Sequence, residues 1–250
     1  MGYLSKFKSV SRVEKNTNRK SDIDSLLKNE LWVSTYQYMN DKNEIPIYYE
    51  DYSIDERKVK KYREKIEDNY CCISLSTTSR NKRLWDYYTN GMRGMAIVYT
   101  YDSIRKSLSK NHVICLTEGK VQYDGKKTLV TRQDMRNMDF VENNINIFLH
   151  KDDTWKEEKE YRFVFKYDKS KKYYEFKEGF NLKNIKPHHI LIGYKMDKTD
   201  RKEIIEYCKN KKVCLYEVSP KLTSPNMKDF NINQLVDTKG KRVKRTRKTK

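Results

Sequence analysis

Four short apolar runs most limit what this chain can fold into: YCCISLS (70–76), GMAIVYTY (94–101), HHILIGY (188–194) and KVCLYEV (212–218). Each is too short to span a membrane and rich in β-branched or aromatic residues, so each reads as a buried strand. YLSKFKS, ELWVSTY and HVICLTEGKVQY add further strands, and EYRFVFKY with KKYYEFKE reads as a hairpin. Between them lie charged stretches with helical character: 22–29, 53–68, 81–89 and 201–209. Asn90-Gly91 is suited to stop the third of these. From Met135, the residues Met138, Val141, Ile145 and Phe148 fall at three- and four-residue spacings and predict an amphipathic helix. Strands and helices mix without strict βαβ alternation. The expected class is α+β, with a central, mainly antiparallel sheet and flanking helices.

Hydropathy alone would point to disorder, since 36% of the 250 residues are charged and the mean hydropathy is -1.01. The 12% aromatic content argues the other way, because Tyr and Phe bury large areas per residue. With no repeat and no linker, residues 1–236 read as one α+β domain. The last twelve residues, KGKRVKRTRKTK, carry eight Lys or Arg and no acid, and without those eight the net charge falls from +19 to +11. Residues 237–250 are therefore expected to form a disordered basic tail, either solubilising or holding nucleic acid by its phosphates. No apolar leader or spanning run appears, so a cytoplasmic, non-membrane protein is expected. The abundance of Lys, Asn, Ile and Tyr suggests an AT-rich bacterial or phage genome.

WKEEKEYRF (155–163) raises a sharper question. As a strand it would place Glu158, Glu160 and Arg162 on one face. Neighbouring carboxylates perturb one another, and a guanidinium beside them compensates. The run is then a salt-bridge ladder on a wet surface, one wall of a site, or a buried ion network that specifies the fold. Charged strand faces are most often solvated.

Several chemistries leave no trace. There is no dinucleotide fingerprint, phosphate loop or nucleophile elbow. The five cysteines (71, 72, 115, 208 and 214) show no zinc spacing and read as small buried hydrophobes. His188 and His189 would point to opposite sides of a strand, so no metal is expected there or elsewhere.

What remains are polar–aromatic segments. YLSKFKS alternates Lys6 and Lys8 around Phe7. WVSTYQYMND carries Trp32, Ser34 and Tyr36 in alternation and ends on Asn40-Asp41, a turn-forming pair. SLSTTSRNKRLWDYYTNG holds Ser74, with Trp85 and Tyr88 three apart on one helix face; aromatics at that spacing are core residues more often than cofactor contacts. In order and spacing these segments resemble the bacterial domain-of-unknown-function family DUF 2971. The matching positions are Lys6, Phe7, Lys8, Ser34, Asn40, Asp41, Ser74, Trp85, Tyr88, Gly94, Trp155, Glu158, Glu160, Arg162 and Gly193, over roughly residues 3 to 230. The chain departs from the family pattern at Lys42, where a proline is usual, and at Tyr87, where a histidine is common.

Some members of that family look similar to ADP-ribosyltransferases. That likeness implies an NAD-consuming reaction and an ADP-ribosyltransferase-like fold. In that class a basic residue lies on the first strand, an aromatic or Ser in the middle, and a Glu, often Glu-x-Glu, on a late strand. Breaking the nicotinamide–ribose bond builds an oxocarbenium-like cation that a carboxylate stabilises. The resemblance makes Glu160 the catalytic carboxylate, Glu158 the group that orients the acceptor, and Tyr88 the ring that stacks on nicotinamide. Lys6 would position NAD, with Lys8, Ser34, Asn40, Asp41, Ser74, Trp85 and Arg162 as further cofactor contacts. Lys6 brings a point charge where a planar fork or an imidazole is usual. The expected role is an NAD-dependent toxin or anti-phage effector. The alternative is a non-catalytic nucleic-acid-binding module built on the basic body, the aromatics and the tail.

Overall fold

The computed structural model describes residues 2–10, 22–39, 44–49, 55–136, 139–167, 179–221 and 230–243. It is mixed α+β, with a large, mostly antiparallel sheet and flanking helices. The strands are β1 (Tyr3–Lys8), β2 (Leu31–Thr35), β3 (Ile47–Tyr48), β4 (Tyr70–Ser76), β5 (Met95–Thr100), β6 (Cys115–Lys120), β7 (Thr128–Leu129), β8 (Glu160–Lys166), β9 (Gly179–Leu182), β10 (His189–Gly193), β11 (Cys214–Pro220) and β12 (Phe230–Val236). The helices are α1 (Asp22–Leu27), α2 (Glu56–Asn69), α3 (Lys82–Tyr88), α4 (Tyr101–Lys110), α5 (Asp139–Asn143) and α6 (Lys198–Lys211). None of the described helices is long and apolar enough to cross a membrane.

The chain divides into two units, each assembled from separated segments. The first draws on Met1–Leu31, Leu75–Ser107 and Lys183–Lys250, the second on Trp32–Ser74 and Leu108–Leu182. The division falls inside β4, not in a Gly- or Pro-rich stretch, so composition gives no hint of it and the sequence reads as one domain over 1–236.

In the first unit the strand order is β12-β11-β10-β5-β1. All its neighbours are antiparallel except β10 and β11, which run parallel from His189↔Cys214 to Gly193↔Val218. Parallel neighbours need a long crossover, and α6 supplies it. Asp197 caps α6 by accepting a hydrogen bond from the Thr199 amide at 2.7 Å. Two glycines permit close backbone approach. A Cβ on Gly94 would meet the Lys8 carbonyl oxygen, and one on Gly193 the Met92 carbonyl oxygen. Phe7, Leu84, Trp85, Met92, Ala96, Val98, Leu191 and Val218 form the core on one face of this sheet.

In the second unit β2 pairs with β9 and, antiparallel, with β4, while β8 pairs with β4 and antiparallel with β6. β3 and β7 form a separate parallel pair. The core gathers Tyr36, Ile45, Tyr62, Ile66, Tyr70, Cys72, Val141, Phe148 and Val164, with α2 contributing Tyr62 and Ile66.

Some local expectations change. Tyr101 opens α4; it does not end β5. The amphipathic helix expected from Met135 is broken into α5 and a 3-10 turn, Ile145–Leu149. The Asn144 side chain donates to the Phe140 carbonyl at 2.8 Å, offering the backbone an alternative to continued helix. Of the apolar positions that predicted it, Val141 and Phe148 are buried and Ile145 is half-buried against the same core, while Met138 lies outside the described residues. The second arm of the hairpin predicted after β8 lies outside the described residues. Asp237 to Val243, assigned above to the tail, fold back on β12, with the Val243 amide donating to the Leu235 carbonyl at 2.9 Å. Residues 244–250 lie outside the described residues.

Candidate functional site: a buried ion network in the second unit

The run WKEEKEYRF is not one continuous strand. Asp153–Glu158 is a 3-10 turn, capped by Asp152, whose carboxylate accepts from the Thr154 amide at 3.0 Å. Lys159 takes a left-handed conformation, φ 48°, and the strand starts at Glu160. Strand alternation therefore does not place Glu158. The turn and the left-handed residue bring it to the same place as Glu160, because both carboxylates contact the Lys151 ammonium. Lys151 Nζ lies 2.9 Å from Glu158 Oε2, 2.8 Å from Glu160 Oε1 and 3.5 Å from Glu44 Oε1.

Arg162, two residues along β8, completes the cluster. Its Nε donates to Glu160 Oε2 at 2.7 Å, its Nη1 to the Phe148 carbonyl at 2.8 Å and its Nη2 to Glu44. Two more hydroxyls join. Ser74 Oγ on β4 donates to Glu160 Oε2 at 3.0 Å, and the Tyr123 hydroxyl accepts the Glu160 amide at 2.8 Å. The Trp155 ring covers Lys151 Nζ at 4.7 Å from its centroid.

The wet-surface reading of this run is overturned. Side-chain exposure is 0% for Arg162, 5% for Lys151 and Glu44, 6% for Glu160 and 7% for Glu158. Three carboxylates and two cations thus sit in a low-dielectric setting, which is tolerable only when each has partners. Burial would raise the Glu160 pKa, but the Arg162 charge, the hydrogen bond with Glu158 and the Lys151 charge hold it well below the usual carboxylate range. Burial likewise opposes the charge on Lys151, yet Glu160, Glu44 and Glu158 push its pKa up. The Tyr123 hydroxyl is pushed up to about 12, chiefly by burial. Glu160 is therefore a fixed anion and Lys151 a fixed cation across ordinary pH. Ser74, Tyr123 and Trp155 are half-buried and form the part of the cluster that reaches towards the surface.

The sequence-predicted residues separate between the units. Glu158, Glu160, Arg162 and Ser74 come together in the second. Ser34, also there, is half-buried and bonds its neighbour's carbonyl, Thr35 O, at 3.1 Å. Asn40 and Asp41 lie outside the described residues. Lys6, Lys8, Trp85 and Tyr88 belong to the first unit. Lys8 is paired with Asp22 at 2.7 Å. Trp85 is a core residue, which leaves a cofactor no surface to touch. It is fully buried, its indole N–H donates to the Ser79 carbonyl at 2.9 Å, and its ring meets Phe7 edge-on at 5.5 Å. Tyr88 is half-buried and packs against the same core, whereas Tyr87 beside it is exposed.

Sequence reading missed Lys151, Glu44 and Tyr123. Lys151 lies in FLHKDD, where a lysine before two aspartates looks like surface charge. Only the third dimension brings these three to Glu160. Among the described residues, no group of three or more His, Cys, Asp or Glu side chains is placed to hold a metal ion.

No curated protein and no solved structure matches this chain. The segment from Leu84 in α3 to Phe163 in β8, which carries Trp85, Tyr88, Lys151, Glu158, Glu160 and Arg162, matches the model of one family: residues 84–163 are similar to the family described as protein of unknown function, DUF2971.

Proposed function

We propose that the second unit carries the carboxylate centre of an NAD-consuming, ADP-ribosyltransferase-like enzyme, with Glu160 as the group that stabilises the ribosyl cation. The observation that supports this is the hydrogen bond from Ser74 to Glu160 at 3.0 Å. A middle-strand serine and the second Glu of a late Glu-x-Glu are 86 residues apart in sequence and meet in the fold. Strongly shifted ionisable groups also cluster at working sites more often than elsewhere. In the proposed reaction the bond between ribose C1′ and the nicotinamide nitrogen breaks, and its electron pair leaves with nicotinamide. The ionised Glu160 carboxylate faces the resulting oxocarbenium-like carbon until an acceptor nucleophile adds. Glu160 already holds Lys151 on one oxygen and Arg162 on the other. A ribose hydroxyl would take the place of Lys151, while Arg162 keeps the carboxylate ionised.

The test is calorimetric titration with NAD together with an assay of nicotinamide release, on wild type, Glu160→Gln and Ser74→Ala. Saturable NAD binding is expected, with release abolished by Glu160→Gln. Ser74→Ala removes one hydrogen bond from a half-buried hydroxyl, so it should fold normally and slow release about tenfold. Absence of NAD binding by the folded wild type, or unchanged release in Ser74→Ala and Glu160→Gln, would overturn the reading.

A further inference from the structure

The first unit holds a feature that owes nothing to the ion network. His188 and His189 are adjacent, and strand alternation should part them. His188, however, precedes the first residue of β10. Its ring turns back, and His188 Nδ1 stands 2.8 Å from His189 Nδ1. Two imidazole nitrogens bound to one ion at about 2.0 Å each, at the right angle of a square-planar site, would stand about 2.8 Å apart.

We propose that His188 and His189 form a two-imidazole site for a divalent transition-metal ion of the copper(II) or nickel(II) kind. Three features of the surroundings favour such an ion. His188 is exposed and His189 half-buried, so the pair opens to solvent and water can fill the remaining positions. The outer nitrogen of His188, Nε2, has the Tyr3 hydroxyl at 3.4 Å, the kind of partner that fixes the tautomer of a ligating imidazole. His189 is held edge-on by Tyr216 at 5.7 Å and by Tyr3 at 5.8 Å, which limits its rotation. Copper(II) should bind more tightly than nickel(II) and zinc, following the general order for nitrogen sites.

The experiment is titration of the full, untagged chain with copper(II), read by calorimetry and by electron paramagnetic resonance. One saturable equivalent is expected, with hyperfine coupling to two imidazole nitrogens. His188→Ala and His189→Ala should each weaken binding about tenfold or more and remove one nitrogen coupling. Tyr3→Phe should weaken binding while leaving both couplings in place, as loss of an outer-shell partner does. His188 is exposed, so His188→Ala should keep the wild-type melting curve. Equal copper affinity in wild type and the double variant His188→Ala/His189→Ala would overturn the proposal. So would a bound-copper spectrum without two-nitrogen coupling, which would leave the 2.8 Å contact as a plain hydrogen bond between the rings.

Discussion

The two units solve the same problem, a buried sheet face, with opposite materials. In the first unit the face is covered by dry contacts: Phe7, Trp85, Val98, Leu191 and Val218 pack with the single indole N–H committed to a carbonyl. In the second unit the face carrying Tyr70, Cys72 and Val164 also carries Ser74, Glu160 and Arg162. Aromatics that could have served a ligand are core in one unit, and charges that should have been solvated are core in the other. Polarity of a segment therefore says little about its burial unless the partners are known. A charge can be buried when counter-charges arrive from distant segments.

The largest effects should come from removing one member of each core. Arg162→Met would leave Glu160 and Glu44 buried without their guanidinium and should cost about 3–5 kcal/mol. Trp85→Ala should cost a similar ~3–5 kcal/mol through a cavity and a lost hydrogen bond. Chemical denaturation of both variants checks this. If Arg162→Met proved as stable as wild type, the contrast drawn between the two cores would collapse.

Acid should then separate Trp85→Ala from Glu160→Gln. Glu160 has a depressed pKa in the folded state. Its contribution is fully present above the unfolded carboxylate value of about 4.3, and is lost as pH falls from there towards the folded value. Wild type and Trp85→Ala should share this loss of stability below about pH 4.5. In Glu160→Gln that component is gone, so its stability should vary less with pH over the same window. Melting temperatures between pH 3 and pH 6 would show it.

The smallest effects concern tyrosine hydroxyls. Tyr207 in the first unit donates to the Asn29 side chain at 2.6 Å, so Tyr207→Phe should cost about 1 kcal/mol. Tyr70 in the second unit is fully buried, and its hydroxyl has no hydrogen-bond partner among the described residues. Tyr70→Phe should therefore be neutral within about 0.5 kcal/mol or slightly stabilising. A large cost at Tyr70 would mean that its hydroxyl is engaged after all.

The four apolar runs named at the outset became β4, β5, β10 and β11, because a run of that length and composition has few other places to go. The caps at Asn81 and Asp197, not anticipated from the sequence, are also local: each accepts from an amide two or three residues on. β12 gave no such signal, since FNINQLV alternates weakly and is half exposed. In the candidate site, Glu158, Glu160 and Arg162 could be read together from spacing, and Ser74 joined them only through the family resemblance. Glu44 and Lys151 could not be read at all. They lie 118 and 11 residues from Arg162, in segments that look like turns.

The sequence by itself determined what depends on neighbours along the chain: strand and helix types, caps, and the α+β class. Those follow from periodicity and from hydrogen bonds that span a few residues. Only the tertiary structure decided which charges are buried, which aromatics are core, and that two adjacent histidines face each other. Burial and ionisation depend on which distant groups share a low-dielectric space, and a segment's own composition does not carry that information.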